Sequence, residues 1–489
     1  MRRHSLMAAS AAGLLALTPA LVAQQAPPAT TTQAVVLKGK APVSNEVLKV
    51  KLPRPAEGEL SNGAHLMVLE DHRAPQVTFS ITMPGGGGYF DSADTIGLAS
   101  ATAALMREGT TSRTSAQMSE QLETMAATVN AGAGLTSIDA TLSGSSLTEN
   151  FEATLAIAVD VLLHPTFAEE EIARYKQRTK TSLLQQRSSP NFLGSELLQR
   201  LVYGNHPASR ISPTAEGVDR MTRDAMVQWH KTRYVPDRAL IAMSGDITLA
   251  AAKRALETAL VDWKKTSSPA VTIAEPPAMG PGRVSFISRP GSVQTTLMVG
   301  TQAISRVDPE YDAFQVMNKV LGGGPTGRLF THLREEKGYT YGASSAVNAS
   351  RWKGDWIAAM DVRTEVTKPA MKDLMAEIAR MRDEQIPQKD FDNARRSLIA
   401  QFALALESPA AVLGNYLTIY WNKLPLNYWD TYPTRVNAVT QAQALAVAKK
   451  YLDPSRLQII AVGDPKVADV FKQFGSVDMY DTNGKPVIK

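Results

Sequence analysis

The chain has 489 residues, room for two domains of ordinary size and too many for one hydrophobic core. Apolar residues make up 44% and charged residues 20%, which excludes collagen-like, disordered and multispan membrane chains. Lys and Arg number 52 against 47 Asp and Glu, a surplus too small and scattered for a nucleic-acid-binding stripe, and the absence of cysteine removes disulfides, thiolate ligands, a Cys nucleophile and a lipidated Cys together.

In chain order, the first element is an address. Arg2 and Arg3 precede an uncharged, mostly apolar run from Leu6 to Val22 with small residues after it, the order of a cleavable secretory signal over residues 1–23. The Pro-, Thr- and Gln-rich stretch at 24–50 reads as a flexible leader. No later stretch is apolar enough to span a membrane, so the expected location is outside the cytoplasm: secreted, and periplasmic if the source is a Gram-negative bacterium.

Asn62-Gly63 makes a turn before a strand over Ala64–Glu70, and a second strand covers Gln76–Thr82. Pro84–Gly88 is a Gly-rich turn, Gly97–Met106 a small-residue helix, and Thr114–Thr128 an amphipathic helix with Met118, Leu122 and Met125 on one face and a Thr114/Gln117 capping box. A strand is expected at Thr136–Leu142, a turn at Ser143–Ser146, and a buried helix at Glu152–Leu163. The helix that follows opens with Glu169, Glu170 and Glu171, placed where its dipole favours carboxylates, and is stopped by Ser-Pro at Pro190.

Several of these segments recur. Tyr234–Asp246 (YVPDRALIAMSGD) is echoed by Tyr451–Asp464 (YLDPSRLQIIAVGD), and the charged helix ending in Ser-Pro at Phe167–Pro190 by Ile386–Pro409. Between the copies lies a proline-rich linker at 266–282. The chain thus divides into two homologous α+β domains, 51–265 and 283–480, with a tail at 481–489.

Four collinear segments resemble the insulinase/pitrilysin (inverzincin) family of zinc metallopeptidases: Leu60–Asp71, Thr95–Thr110, Arg289–Gly300 and Leu321–Gly342 (LGGGPTGRLFTHLREEKGYTYG). The resemblance implies two αβ-roll domains, each a mixed or antiparallel sheet packed by helices, forming half of a clam-shell chamber. Catalytic members carry H-x-x-E-H on the helix after Gly-Leu-Ala, where histidines at i and i+4 share a face and hold zinc while the Glu activates water. Here the ligand and base positions read Ser100, Ala103 and Ala104. The family's downstream Glu falls in the register Lys180–Ser182, where neither a cation nor a hydroxyl replaces it. The remaining histidines show no ligand spacing, so no cofactor is expected on this chain, and zinc is expected in a partner subunit. Arg334 and Tyr341 keep the spacing of the family's Arg/Tyr pair, which the resemblance assigns to substrate binding at the zinc site of another subunit; the residues alone favour a Tyr341 packed in a sheet and an Arg334 paired with Glu335.

Other chemistries fail on spacing. Gly322–Gly324 lacks the Lys-Ser/Thr of a phosphate loop and reads as a turn between helices needing positive φ, and there is no G-x-S-x-G nucleophile elbow. The leading expectation is a non-catalytic subunit that binds peptides and pairs with a zinc-bearing homologue. The alternative is a peptide-binding or scaffolding pseudo-peptidase that forms homodimers.

Overall fold

The computed structural model describes residues 46–266 and 269–487. The expected signal and most of the leader lie outside the described residues. From Val47 onward the chain is built on two six-stranded mixed sheets. The first comprises β1 (Ala56–Glu59), β2 (His65–Glu70), β3 (Gln76–Pro84), β4 (Thr128–Ala133), β5 (Asp139–Leu147) and β6 (Leu240–Gly245), in the order β1-β2-β6-β3-β5-β4. The second comprises β7 (Val284–Ser288), β8 (Gln294–Gln302), β9 (Thr340–Asn348), β10 (Asp355–Arg363), β11 (Gln458–Gly463) and β12 (Val477–Tyr480), in the order β12-β7-β11-β8-β10-β9. Leaving aside β1 and β12, the two orders are the same, parallel at β2/β6 and β7/β11 and antiparallel elsewhere. The two echoed sequence segments deliver β6 and β11, the strands that each half inserts into the middle of its sheet.

One face of each sheet is covered by helices of its own half, among them Leu98–Leu105 and Phe151–Leu163 in the first and Tyr311–Leu321 and Thr367–Asp383 in the second. The other face is covered by a helix from the opposite half. Pro190–Tyr203 lies on β8 and β11, where Leu193, Leu197, Leu198 and Val202 close over Met298, Ile460 and Val462. Pro409–Asn422 lies on β6, where Val412, Leu413, Tyr416 and Ile419 close over Met67, Leu69, Leu240 and Ala242. Close approach is possible because Gly300 has no side chain: a Cβ there would meet a Leu198 methyl at 2.9 Å. The Ser-Pro pairs start these exchanged helices as well as ending the preceding ones, for Ser189 and Ser408 accept the N–H of Phe192 and Ala411, and Pro190 and Pro409 stand at the first turn.

The linker is docked against both halves. The N–H of Ala274 donates to the Tyr89 hydroxyl, its carbonyl accepts from His206, and the carbonyls of Pro277 and Pro281 accept from Gln302 and Gln458.

Two local expectations are corrected. The helix capped by the Thr114/Gln117 box ends at Thr124, because Ala126 takes a left-handed turn (φ 49°) and Thr128–Ala133 pairs with β5 as the edge strand β4. Ser143–Ser146 is the middle of β5 rather than a turn; Gly144 sits there because the Phe79 ring fills the space where a side chain would go, 2.4 Å from an added Cβ.

Leu198→Ala leaves a void in the face that the exchanged helix covers and is expected to cost about 2–5 kcal/mol in denaturant unfolding, whereas Leu184→Ala, at a side chain 77% exposed, should change stability by less than about 0.5 kcal/mol. Equal effects of the two would mean that the exchange contributes no core.

Candidate functional site

The helix Leu98–Leu105 starts at Gly97, whose φ of 97° only glycine adopts without strain. The buried Asp91 carboxylate caps it, accepting from the N–H of Gly97 at 2.7 Å and of Ala99 at 3.0 Å. Desolvation pushes this carboxyl up to about 6, against the pull of those two N–H groups and of nearby Arg210. Within the helix, Ser100 and Ala104 share a face that reaches solvent, while Ala103 is fully buried. The Ser100 hydroxyl is committed to the carbonyl of Ala133, at the end of edge strand β4.

Downstream, Lys180 lies on the helix Glu169–Gln186 and pairs with Asp219 at 2.8 Å, and the Thr181 hydroxyl turns back onto the carbonyl of Gln177. Methyl groups, committed hydroxyls and a paired ammonium do not fit zinc. Among the described residues no three His, Asp or Glu side chains gather closely enough to hold a metal ion.

Arg334 and Tyr341 are brought together. The Arg334 guanidinium lies 5.1 Å from the centre of the Tyr341 ring and 4.6 Å from that of Phe330, with Glu335 3.5 Å away. Tyr341 is 90% exposed, so the alternative of a tyrosine packed in the sheet is excluded, while the ion pair of Arg334 with Glu335 does form.

Each of the two stands on an irregular piece of backbone. The segment Thr331–Glu336, which carries Arg334, is a π-helical turn in which the N–H of Lys337 reaches back five residues to the carbonyl of His332. On edge strand β9, Ala343 faces Met360 and Thr340 faces Val362, so Tyr341 and Gly342 together oppose the single residue Asp361. That is a β-bulge, a device that re-aims a side chain and recurs beside active sites, as π turns do.

The strand is pinned from behind by groups the sequence did not single out. Asn318 donates to the carbonyl of Ser345 at 3.1 Å and accepts from the Ser345 hydroxyl at 2.7 Å and the Trp356 indole at 2.9 Å. The available signal was a lone Asn and Lys inside the apolar helix Tyr311–Leu321. The glycine run that follows is a turn between helices, as expected, with Gly324 at φ 124°.

Residues 66–212 match the family model described as insulinase (peptidase family M16), and residues 220–398 match the one described as peptidase M16 inactive domain. A Rickettsia bellii protein named as an uncharacterized zinc protease is 25% identical over 74% of this chain and 88% of its own length. A Helicobacter pylori protein named as a non-peptidase homolog is 20% identical over 81% of this chain and 91% of its own. Among solved structures, the peptidase M16 inactive domain from Pseudomonas fluorescens superposes with a TM-score of 0.76 at 25% identity, covering 84% of this chain and 98% of that one.

Introducing Ser100→His, Ala103→Glu and Ala104→His together is expected to yield neither stoichiometric zinc by metal analysis nor peptide cleavage. The third ligand is still missing, and the new Glu would enter a closed position. Zinc-dependent cleavage by that variant would show that a further ligand lies within reach.

Proposed function

The chain belongs to the insulinase peptidase family, and from that premise we propose that it is the non-catalytic, substrate-binding subunit of a secreted or periplasmic heteromeric zinc peptidase that degrades peptides. Arg334 and Tyr341 are its contribution to the active site of a zinc-bearing homologue. The observation that carries this reading is the asymmetry between the halves. The helix that holds the metal in catalytic members has lost every donor, while the Arg/Tyr pair remains exposed, in mutual contact, and held by a π turn and a bulge. Regular backbone at both places would serve a purely structural protein.

In this reading a peptide lies extended between the two subunits, pairing its main chain with a sheet edge, which binds many sequences with little preference. The fixed charge of Arg334 and the phenol of Tyr341 donate to carbonyl oxygens of the substrate, and the phenol follows the oxygen as negative charge develops on it. The metal and the water that attacks belong to the partner. A homodimer would carry Ser100, Ala103 and Ala104 in both copies, so it would bind peptides without cutting them.

The test is reconstitution of the purified mature chain with a zinc-bearing homologue from the same organism. Cleavage is expected only in the mixture, and Tyr341→Phe in that mixture should lower turnover by about 10²-fold or more. Unchanged turnover removes the proposed role of the phenol, and absence of cleavage with every such homologue favours the homodimeric, peptide-binding protein.

A further inference from the structure

Beside the Arg334 segment, whose Thr331, His332 and Glu336 line it, a cavity of about 530 Å³ opens between the helices Tyr311–Leu321, Thr367–Asp383 and Gln388–Ala405. It is within the size range of small-molecule sites. One part of its wall is cationic. Lys319 is 8% exposed, and its ammonium donates to the carbonyl of Gly323 at 2.6 Å while meeting no carboxylate; burial pulls its pKa below the ordinary lysine value. Arg328, on the helical turn Arg328–Phe330 that runs into the Arg334 segment, lines the cavity with a buried Nη1 that has no hydrogen-bond partner.

Another part is acidic. Glu377 is 7% exposed; one of its oxygens lies 3.8 Å from Arg380, and the other is buried with no partner. Of the other charged groups on the wall, Arg380 also pairs with Glu384 at 3.1 Å and His332 with Glu336 at 2.9 Å, while Asp390 adds a further carboxylate.

Leaving an unpaired cation and an unpaired carboxylate oxygen in one cavity is costly, and the cost is removed by a ligand that supplies both opposite charges. A simple anion satisfies Lys319 and Arg328 but is repelled by Glu377, and a simple amine has the reverse defect. We propose that this cavity is a binding site for a small zwitterion, an α-amino acid or a dipeptide, with its carboxylate on Lys319 and Arg328 and its ammonium on Glu377. The site is separate from the Arg334/Tyr341 pair, and nothing in the proposal requires a zinc-bearing partner.

The test uses the purified mature chain and five probes in calorimetric titration and thermal unfolding: L-alanine, L-alanyl-L-alanine, N-acetyl-L-alanine, L-alaninamide and inorganic phosphate. One or both zwitterions are expected to bind and to raise the unfolding temperature, and which of the two binds more tightly gives the span of the site. Loss of either charge, in the acetyl or amide probe, should weaken binding tenfold or more. Arg328→Met should weaken the zwitterion by a similar factor. Ser397→Trp, which places bulk at the cavity wall, provides a second route should Arg328→Met fail to fold, and should also reduce binding tenfold or more. Overturning results are no binding of either zwitterion at millimolar concentration, binding of N-acetyl-L-alanine or phosphate as tight as the zwitterion, or zwitterion binding unchanged in Ser397→Trp.

Discussion

The architecture depends on the need of each sheet to bury both of its faces. Strands β6 and β11, in the middle of their sheets, are almost wholly buried and read as near-continuous apolar runs, which only a sheet covered on both sides tolerates. Neither half covers its second face itself. The helices Pro190–Tyr203 and Pro409–Asn422 cross to the opposite sheet, and the two cores they build place β4, β9 and the helix Leu98–Leu105 in one fixed frame. The docked linker follows from this arrangement, since its carbonyls find partners on side chains that the exchange has already brought close.

Within that frame the halves have diverged in a chemically specific way. The first has a regular helix whose only hydroxyls, on Ser100 and Thr102, are spent on backbone carbonyls, and its buried Ala103 leaves no room for a base. The second keeps two departures from regular structure within a few residues of each other. A π turn and a bulge each give up ladder hydrogen bonds, and the Asn318–Ser345–Trp356 network behind them holds the edge strand in place. The cavity lined by Lys319, Arg328 and Glu377 shares the π segment, so the same short stretch of backbone faces both the exposed pair and the cavity.

Much of this was legible in the sequence because it is encoded locally. The Thr114/Gln117 box, the acidic start at Glu169, the Ser-Pro junctions and the repeated Arg-strand-Gly-Asp segments all act within a few residues of themselves, and they gave the duplication and most element starts. Element ends were harder. The apolar spacing from Thr114 runs on into Met125 and implies a helix four residues longer than the one that forms, and the turn at Ala126 rests on backbone conformation rather than on a Gly or Pro. Ser143–Ser146 looked like a turn by composition, but its middle glycine answers to Phe79, a residue far away in sequence. For the same reason the helix exchange was invisible: an apolar stripe such as Leu193, Leu197, Leu198 and Val202 announces that it will be covered without naming the sheet that covers it. Arg334 and Tyr341 were found by spacing and resemblance, whereas the bulge and the π turn that present them depend on the register of β9 against β10.

The exchange also bears on how such a chain came to be. A single half, standing alone, would present an uncovered sheet face on one side and a projecting apolar helix on the other, each the complement of the other. Two copies of one half would therefore satisfy each other by trading helices about a two-fold axis, before any linker joined them. The covalent connection adds effective concentration to an assembly whose contacts are already complete, so the present chain has the build of a fused homodimer, and among its described residues neither half gathers a metal-binding set.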